Sequence, residues 1–218
     1  MTDSRLNKRI ALWANDLSGR NCKNWFYIFK NKLKECDLEQ YCDISQYCSK
    51  AALLDGIAAV MHDQYVKKWR ACIANATGPS GRGGNKLRTY RILKSEFETE
   101  HYCKLIMPLR HRAAFSKFGC GVAHLRIETG RYEGLEIDDR KCPFCGEVED
   151  ESHVLLRCYM YDDLRRTLFD KAIDINENFS SFTEHGQLQF LFTKSDMCRI
   201  CAKTCFNILQ RRTFYMCR

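Results

Sequence analysis

Proline, glycine and long apolar runs are all scarce in this chain of 218 residues, which has only 3 Pro and 12 Gly. Few helix breakers are therefore present, which fits a mostly helical protein better than a turn-rich β fold. No run approaches the roughly 18–20 apolar residues that a membrane span needs. Met1 to Arg20 breaks its apolar residues with Asp3, Arg5, Lys8, Arg9 and Asp16, so no signal-peptide core is present. These absences predict an intracellular protein, nuclear or cytoplasmic, neither secreted nor in a membrane. At 45% hydrophobic and 12% aromatic residues the chain is too apolar to be disordered. Its length suits one domain or two small ones. A phosphate-cradling loop is missing as well. The one Gly-rich stretch, ATGPSGRGGN at Ala76–Asn85, has Ser80 six residues before Lys86 and Leu87 after it, where a P-loop needs Gly and then Ser or Thr.

What the chain does hold is 14 cysteines. In a long helical chain without a secretory signal, reduced thiols and metal ligation are the expected uses, ahead of disulfides. Charge is uneven. The chain has 35 basic and 27 acidic residues for a net +8. Residues 86 to 131 carry 10 bases against 4 acids, residues 132 to 170 carry 5 against 11, and residues 194 to 218 carry 6 against 1. Basic blocks around an acidic segment suggest a polyanionic partner, nucleic acid before membrane.

Hydrophobic spacing predicts an N-terminal helical segment over 1–75, a Gly-rich linker over 76–85 and a helical domain over 86–218. In the first, Asn24 to Leu33 reads as a helix with Trp25, Ile28 and Phe29 inward. Residues 44 to 75 read as one long helix with a stripe of Leu54, Ile57, Ala58, Met61, Tyr65, Trp69 and Cys72. Past the linker, Leu87, Tyr90, Leu93 and Phe97 give an amphipathic helix. Pro108 starts another at its first position, and Gly119 and Gly121 stop it. His124 to Asp139, broken by Gly130 and Gly134, reads as loop or short strand. Tyr159–Ile175, Glu184–Phe192 and Cys198–Tyr215 read as helices. The expected fold is mostly α: a helical array with a small loop-rich CCHC zinc module, about residues 132 to 165, inserted between helices.

That insert reads KCPFCGEVEDESHVLLRCYMY. Cys142 and Cys145 form a C-x2-C knuckle with Gly146 behind it; His153 follows, then Cys158. Two thiolates on a tight turn converge on one ion, and His153 and Cys158, about a helical turn apart, reach the same point after some local distortion. Three sulfurs and one nitrogen in a tetrahedron suit one structural Zn2+ with no position open for water. Cys198, Cys201 and Cys205 share one face of the last helix. They read as core thiols, with a second metal site involving Cys217 or His185 as the alternative.

The pattern CPFC…ED-E-SHVLLRC…Y…R…L resembles the zinc-binding region that follows the reverse transcriptase in LINE-like (non-LTR) retrotransposon polyproteins. LRTYRILK, PLRHRAAFSKFGCGVAHLRIETGRYEG and AKTCFNILQRR flank it in the matching order. NWFYIFKNKLKEC and the long helix look like the segment between polymerase thumb and zinc region. The resemblance implies Cys142, Cys145, His153 and Cys158 as metal ligands, and a nucleic-acid partner with a polymerase region as a second one.

Catalytic groups are not in evidence. Tyr161-Asp162-Asp163 imitates the polymerase aromatic-x-Asp-Asp hairpin, but the aromatic position falls on Met160 and the trio lies in a helical stretch. Palm and fingers do not fit in the length. Glu133, Glu136, Asp138 and Asp139 lack the partnered lysine of a nuclease. The expected function is therefore non-catalytic: a C-terminal fragment or derivative of such a reverse transcriptase that positions template RNA or target DNA, with no small-molecule substrate. The residues expected to meet phosphate are Lys86, Arg88, Arg91, Arg110, Arg112, Lys117, Arg126, Arg131, Arg211 and Arg212. The alternative is a zinc-scaffolded protein-interaction module whose acidic surface, Glu147, Glu149, Asp150 and Glu151, docks a basic partner.

Overall fold

The computed structural model describes residues 6–18, 24–43, 50–75 and 87–216. Lys86, the 76–85 segment, Cys22, Cys48 and Cys217 lie outside the described residues. Among those described the fold is mostly α, without strands, and the single β feature is an antiparallel bridge between Lys141 and Val148. No described helix is long and apolar enough to cross a membrane. Two compact units divide at residues 69 and 70, inside a helix and ahead of the Gly-rich segment.

In the first unit, α1 (Leu6–Ser18) packs on α2 (Trp25–Glu35). Asn24 joins them with one side chain. Its Oδ1 accepts from the Tyr27 backbone N–H at 2.9 Å as the N-cap of α2, and its Nδ2 donates to the Ala14 carbonyl at 2.7 Å. That cap turns Phe26 and Leu33 inward, whereas Trp25 and Ile28, expected inside, are exposed. Helix α3 (Lys50–Asn75) is apolar on nearly all sides, so periodicity alone cannot choose its buried face. The choice is made by Gly56: the Tyr41 hydroxyl donates to its carbonyl at 2.8 Å, and a Cβ there would come within 2.8 Å of the Tyr41 ring. Gln64 donates to the Cys36 carbonyl on the same side. The expected stripe consequently faces outward at Leu54, Ala58, Met61, Tyr65 and Cys72, with Ile57 and Trp69 half-buried.

The second unit is built on α9 (Ser195–Met216), which packs against α5 (Leu109–Gly119), α7 (Asp162–Ile175) and α8 (Glu184–Thr193). Cys198, Cys201 and Cys205 are fully buried along it with Ile208, opposite Phe115, Phe118 and Leu191. They are core thiols, and burial pushes the Cys198 thiol up to about 11. Helix α4 (Arg88–Leu93) is shorter than its spacing predicts; Lys94 turns extended and Phe97 lies beyond it, exposed. Pro108 caps α5 from one position before the helix.

His124 to Asp139 is not a strand, and most of it is helical where loop was expected. It holds α6 (Arg126–Tyr132) and a 3-10 turn at Ile137–Asp139. Gly130 acts here as a packing site within a helix, because a Cβ would lie 2.8 Å from Cγ of Arg140. The buried Arg140 guanidinium then donates to the carbonyls of Ile127 and Leu135, closing the chain after α6.

Two buried carboxylates fasten this frame to residues 140–158. Glu149, with no exposure, accepts two bonds at 2.8 Å from Arg212 of α9 and one at 2.6 Å from the Arg126 backbone N–H at the start of α6. Glu151, at 1% exposure, accepts from Arg88 at 2.6 and 2.8 Å and from the Thr89 hydroxyl, both on α4. Removing one partner of a buried pair strands the other charge, at a cost of about 3–5 kcal/mol. Glu149→Ala should lower unfolding free energy by about that amount in denaturant titration, and Glu149→Leu with Arg212→Leu should recover most of the loss.

Candidate metal centre

The C-x2-C half of the site is a tight reversal. Lys141 and Val148 bridge its arms, the Cys142 N–H donates to the Glu147 carbonyl at 2.6 Å, and the Gly146 N–H donates to the Cys142 carbonyl at 3.0 Å. Gly146 has φ +79°, a conformation that a residue with a Cβ adopts at a cost. Nothing lies within 4 Å of a Cβ there, so backbone conformation, and not space, demands the glycine.

The other half solves a spacing problem. His153 and Cys158 are five residues apart, which in an α-helix puts them about 140° apart around the axis. The chain instead forms a π-turn over His153–Arg157, closed by the Cys158 N–H donating to the His153 carbonyl at 2.8 Å. The wider turn brings both side chains to one side. Asp150 starts it by accepting from the His153 N–H at 2.7 Å. This is the distortion that the ligand spacing requires.

The four ligand atoms of Cys142, Cys145, His153 and Cys158 lie within 4.8 Å of one another, so one metal ion could touch all of them. The Cys142 and Cys158 sulfurs are 3.8 Å apart, and the Cys145 sulfur is 3.2 Å from Nε2 of His153. Cys142, His153 and Cys158 are buried and Cys145 is half-buried. Burial pushes the Cys142 thiol up and the Cys158 thiol up to about 12, and a cation bound there would favour the thiolate forms.

Residues outside the ligand set fix its geometry. Nδ1 of His153 lies 3.1 Å from a carboxylate oxygen of Glu147, which leaves Nε2 for the ion. Arg157 approaches the same oxygen at 3.6 Å and also bonds Glu184. The Tyr159 hydroxyl donates to the Phe144 carbonyl at 2.7 Å, latching the strand of chain after Cys158 to the knuckle. Sequence reasoning missed Glu147 as a positioning residue. Its signal was an acid between the knuckle and the histidine, a common partner for a ligating imidazole.

The other predicted site residues divide sharply. Arg88 and Arg212 are interior, held by Glu151 and Glu149. Arg126 pairs with Glu133, Arg131 with Glu128, and Arg211 with Asp163 and the Met160 carbonyl. Arg112 donates to the Leu105 carbonyl and Arg91 to the Leu87 carbonyl. Arg110 and Lys117 are exposed, with the Arg110 guanidinium 5.3 Å from the Phe206 ring centre. The acidic surface expected over residues 147 to 151 does not form as such. Glu149 and Glu151 point into the unit because arginines meet them there, leaving Glu147 exposed and Asp150 half-buried. Tyr161 is fully buried, and Asp162 and Asp163 sit in the first turn of α7, paired with Arg165 and Arg211. The Arg211 guanidinium holds the Asp163 carboxyl below the usual carboxylate range.

The chain matches no family model, and neither a curated protein nor a solved structure matches it.

Elemental analysis of purified protein should find one metal ion per chain, and chelation or Cys142→Ser should remove it. Hydrogen exchange should then accelerate over residues 140–158 while α3 keeps its protection, since the ligands converge from loop-rich chain. Glu147→Ala should leave the fold intact but weaken the metal about 10- to 100-fold in a competition titration with a chromophoric chelator.

Proposed function

We propose that the chain is a non-enzymatic module, folded around one structural Zn2+, that binds nucleic acid through the outer face of α5 and α9. Zinc is favoured by the donor set. Three sulfurs and one imidazole suit it, and two sulfurs about 2.3 Å from a tetrahedral ion are about 3.8 Å apart, the spacing between Cys142 and Cys158. Four protein ligands fill a tetrahedral shell and leave no position for a reacting water, which supports a scaffolding role.

The observation that carries the nucleic-acid reading is where positive charge remains once the interior pairs are formed. Helix α5 contains no acid, and α9 contains one, Asp196 in its first turn. Their outward side chains include Arg110, Lys117 and Lys203, all exposed. Arg110 lies over Phe206, and the His111 ring is 5.2 Å from the same phenyl group. Burial first, then the nearby Arg110 and Lys203 charges, lower the pKa of His111. Such a surface attracts phosphate without reading sequence. Lys203, absent from the residues predicted by spacing, joins Arg110 and Lys117 as a phosphate contact. The resemblance to the LINE-like zinc region points the same way, and there the partner would be template RNA or target DNA. The protein-interaction alternative loses its main support, because Glu149 and Glu151 are occupied within the unit.

Fluorescence anisotropy against single-stranded RNA and duplex DNA at two salt concentrations tests this. Binding should weaken with salt, with log K falling by about 0.7–0.9 per log unit of salt for each phosphate contacted. Arg110→Glu with Lys203→Glu should flatten that slope by about two contacts while metal stoichiometry stays at one. Flat titrations at low salt would refute the reading.

A further inference from the structure

Tyr161 is the bulkiest of the fully buried side chains, and its hydroxyl has no hydrogen-bond partner among the described residues. A buried tyrosine hydroxyl ordinarily finds one, because an unpaired polar group keeps the full cost of leaving water. Phenylalanine would fill the same space without that cost. The oxygen therefore needs a reason.

Its surroundings supply one. The ring stands nearly perpendicular to that of Phe144 in the knuckle, centres 6.3 Å apart. The Tyr161 N–H donates to the Cys158 carbonyl at 3.1 Å, closing a 3-10 turn over Tyr159–Tyr161 in which side chains three positions apart lie on one side. The ionisable groups that act on the hydroxyl are Glu149, Cys158, Cys142 and Arg212, with Cys158 the stronger of the two sulfurs. Arg212 is itself a donor, and Glu149 already accepts three bonds. The sulfurs are the acceptors that remain. Two backbone N–H groups, of Phe144 and Cys145, serve Cys142, whereas Met160 alone serves Cys158. A neutral thiol is a weak acceptor, but a metal-bound thiolate is a charged one.

We infer that Tyr161 is a positioning residue of the metal centre, its hydroxyl donating to the Cys158 thiolate when an ion is bound. The inference rests on the metal-binding reading of Cys142, Cys145, His153 and Cys158, and on no part of the nucleic-acid reading. Glu147 would then orient the imidazole from the exposed side of the centre, and Tyr161 would hold a sulfur from the interior. The tyrosine of the Tyr-Asp-Asp trio thereby has a use unrelated to polymerase chemistry.

Tyr161→Phe removes one oxygen and keeps the ring. In the full chain it should weaken Zn2+ about 10- to 100-fold in competition with a chromophoric chelator. Urea unfolding of the chelator-treated protein should show a midpoint unchanged or higher, since an unpaired hydroxyl has gone. With Co2+ in place of Zn2+, the sulfur-to-cobalt charge-transfer band should move to longer wavelength, because losing a hydrogen bond raises the energy of the sulfur electrons. A hydroxyl that only fills space leaves both affinity and band where they were, which overturns the inference. One satisfied by a buried water in both forms makes Tyr161→Phe destabilise the metal-free and loaded chains alike, which overturns it too. A wild-type chain that takes up no metal overturns the centre and the inference together, whereas a loaded chain indifferent to Tyr161→Phe overturns the inference alone.

Discussion

Glu149 is a carboxylate with no access to solvent, placed between the knuckle and the histidine of the candidate metal centre. Taking a charge out of water costs several kcal/mol unless the surroundings answer it. Three groups do so here: the Arg212 guanidinium with two bonds, the free N–H at the start of α6, and the positive end of the short helix to which that N–H belongs. One side chain thus ties the last helix of the chain, the helix before the knuckle and the segment between the ligands. Glu151 repeats the device with Arg88 and Thr89, adding α4. The two pairs are separate contacts, two residues apart between the knuckle and the histidine, so the middle of the ligand-bearing segment is held to two different helices.

This arrangement divides labour between charge and metal. The residues from Lys141 to Cys158 form a single isolated bridge and a single π-turn, too little regular structure to persist alone. Buried ion pairs are weak sources of net stability but strict about geometry, since a misplaced partner leaves a bare charge inside. They set where the segment lies. A metal ion bound by three thiolates and an imidazole can contribute the free energy that keeps it folded, on the order of 10 kcal/mol for structural zinc in finger peptides. Glu147 links the two systems, because it orients His153 and also meets Arg157, which reaches Glu184 at the start of α8.

The ligand set was legible in the sequence because knuckle chemistry is local: two cysteines, two intervening residues and a glycine describe a turn by themselves. Core cysteines on α9 were legible for the same reason, through helical spacing. What spacing could not show was direction. Arg88 and Arg91 lie one turn apart and look equivalent, yet Arg88 is committed to a carboxylate 63 positions away. Arg212 and Glu149 are likewise 63 apart, and no window of neighbouring residues contains both. Gly130 read as a breaker because its reason, the stem of Arg140, comes from the next loop. In α3 apolar residues occupy most positions, so the inward face is fixed by Tyr41 on Gly56 and by Gln64 on Cys36, outside any periodic signal.

The same pairs constrain how any dependence of binding on metal should be interpreted. If the ion leaves and the segment between Lys141 and Cys158 loosens, Arg88 and Arg212 lose their buried partners and become available to solvent. A basic chain that frees guanidinium groups on unfolding gains, and does not lose, general attraction for phosphate. Retained affinity after chelation therefore says little about the folded surface. A decisive comparison keeps the metal in place and changes charges on α5 and α9, where Arg110, Lys117 and Lys203 point outward without an acidic partner on either helix beyond Asp196. A binding surface made by the fold is one that such substitutions alter while the centre stays loaded.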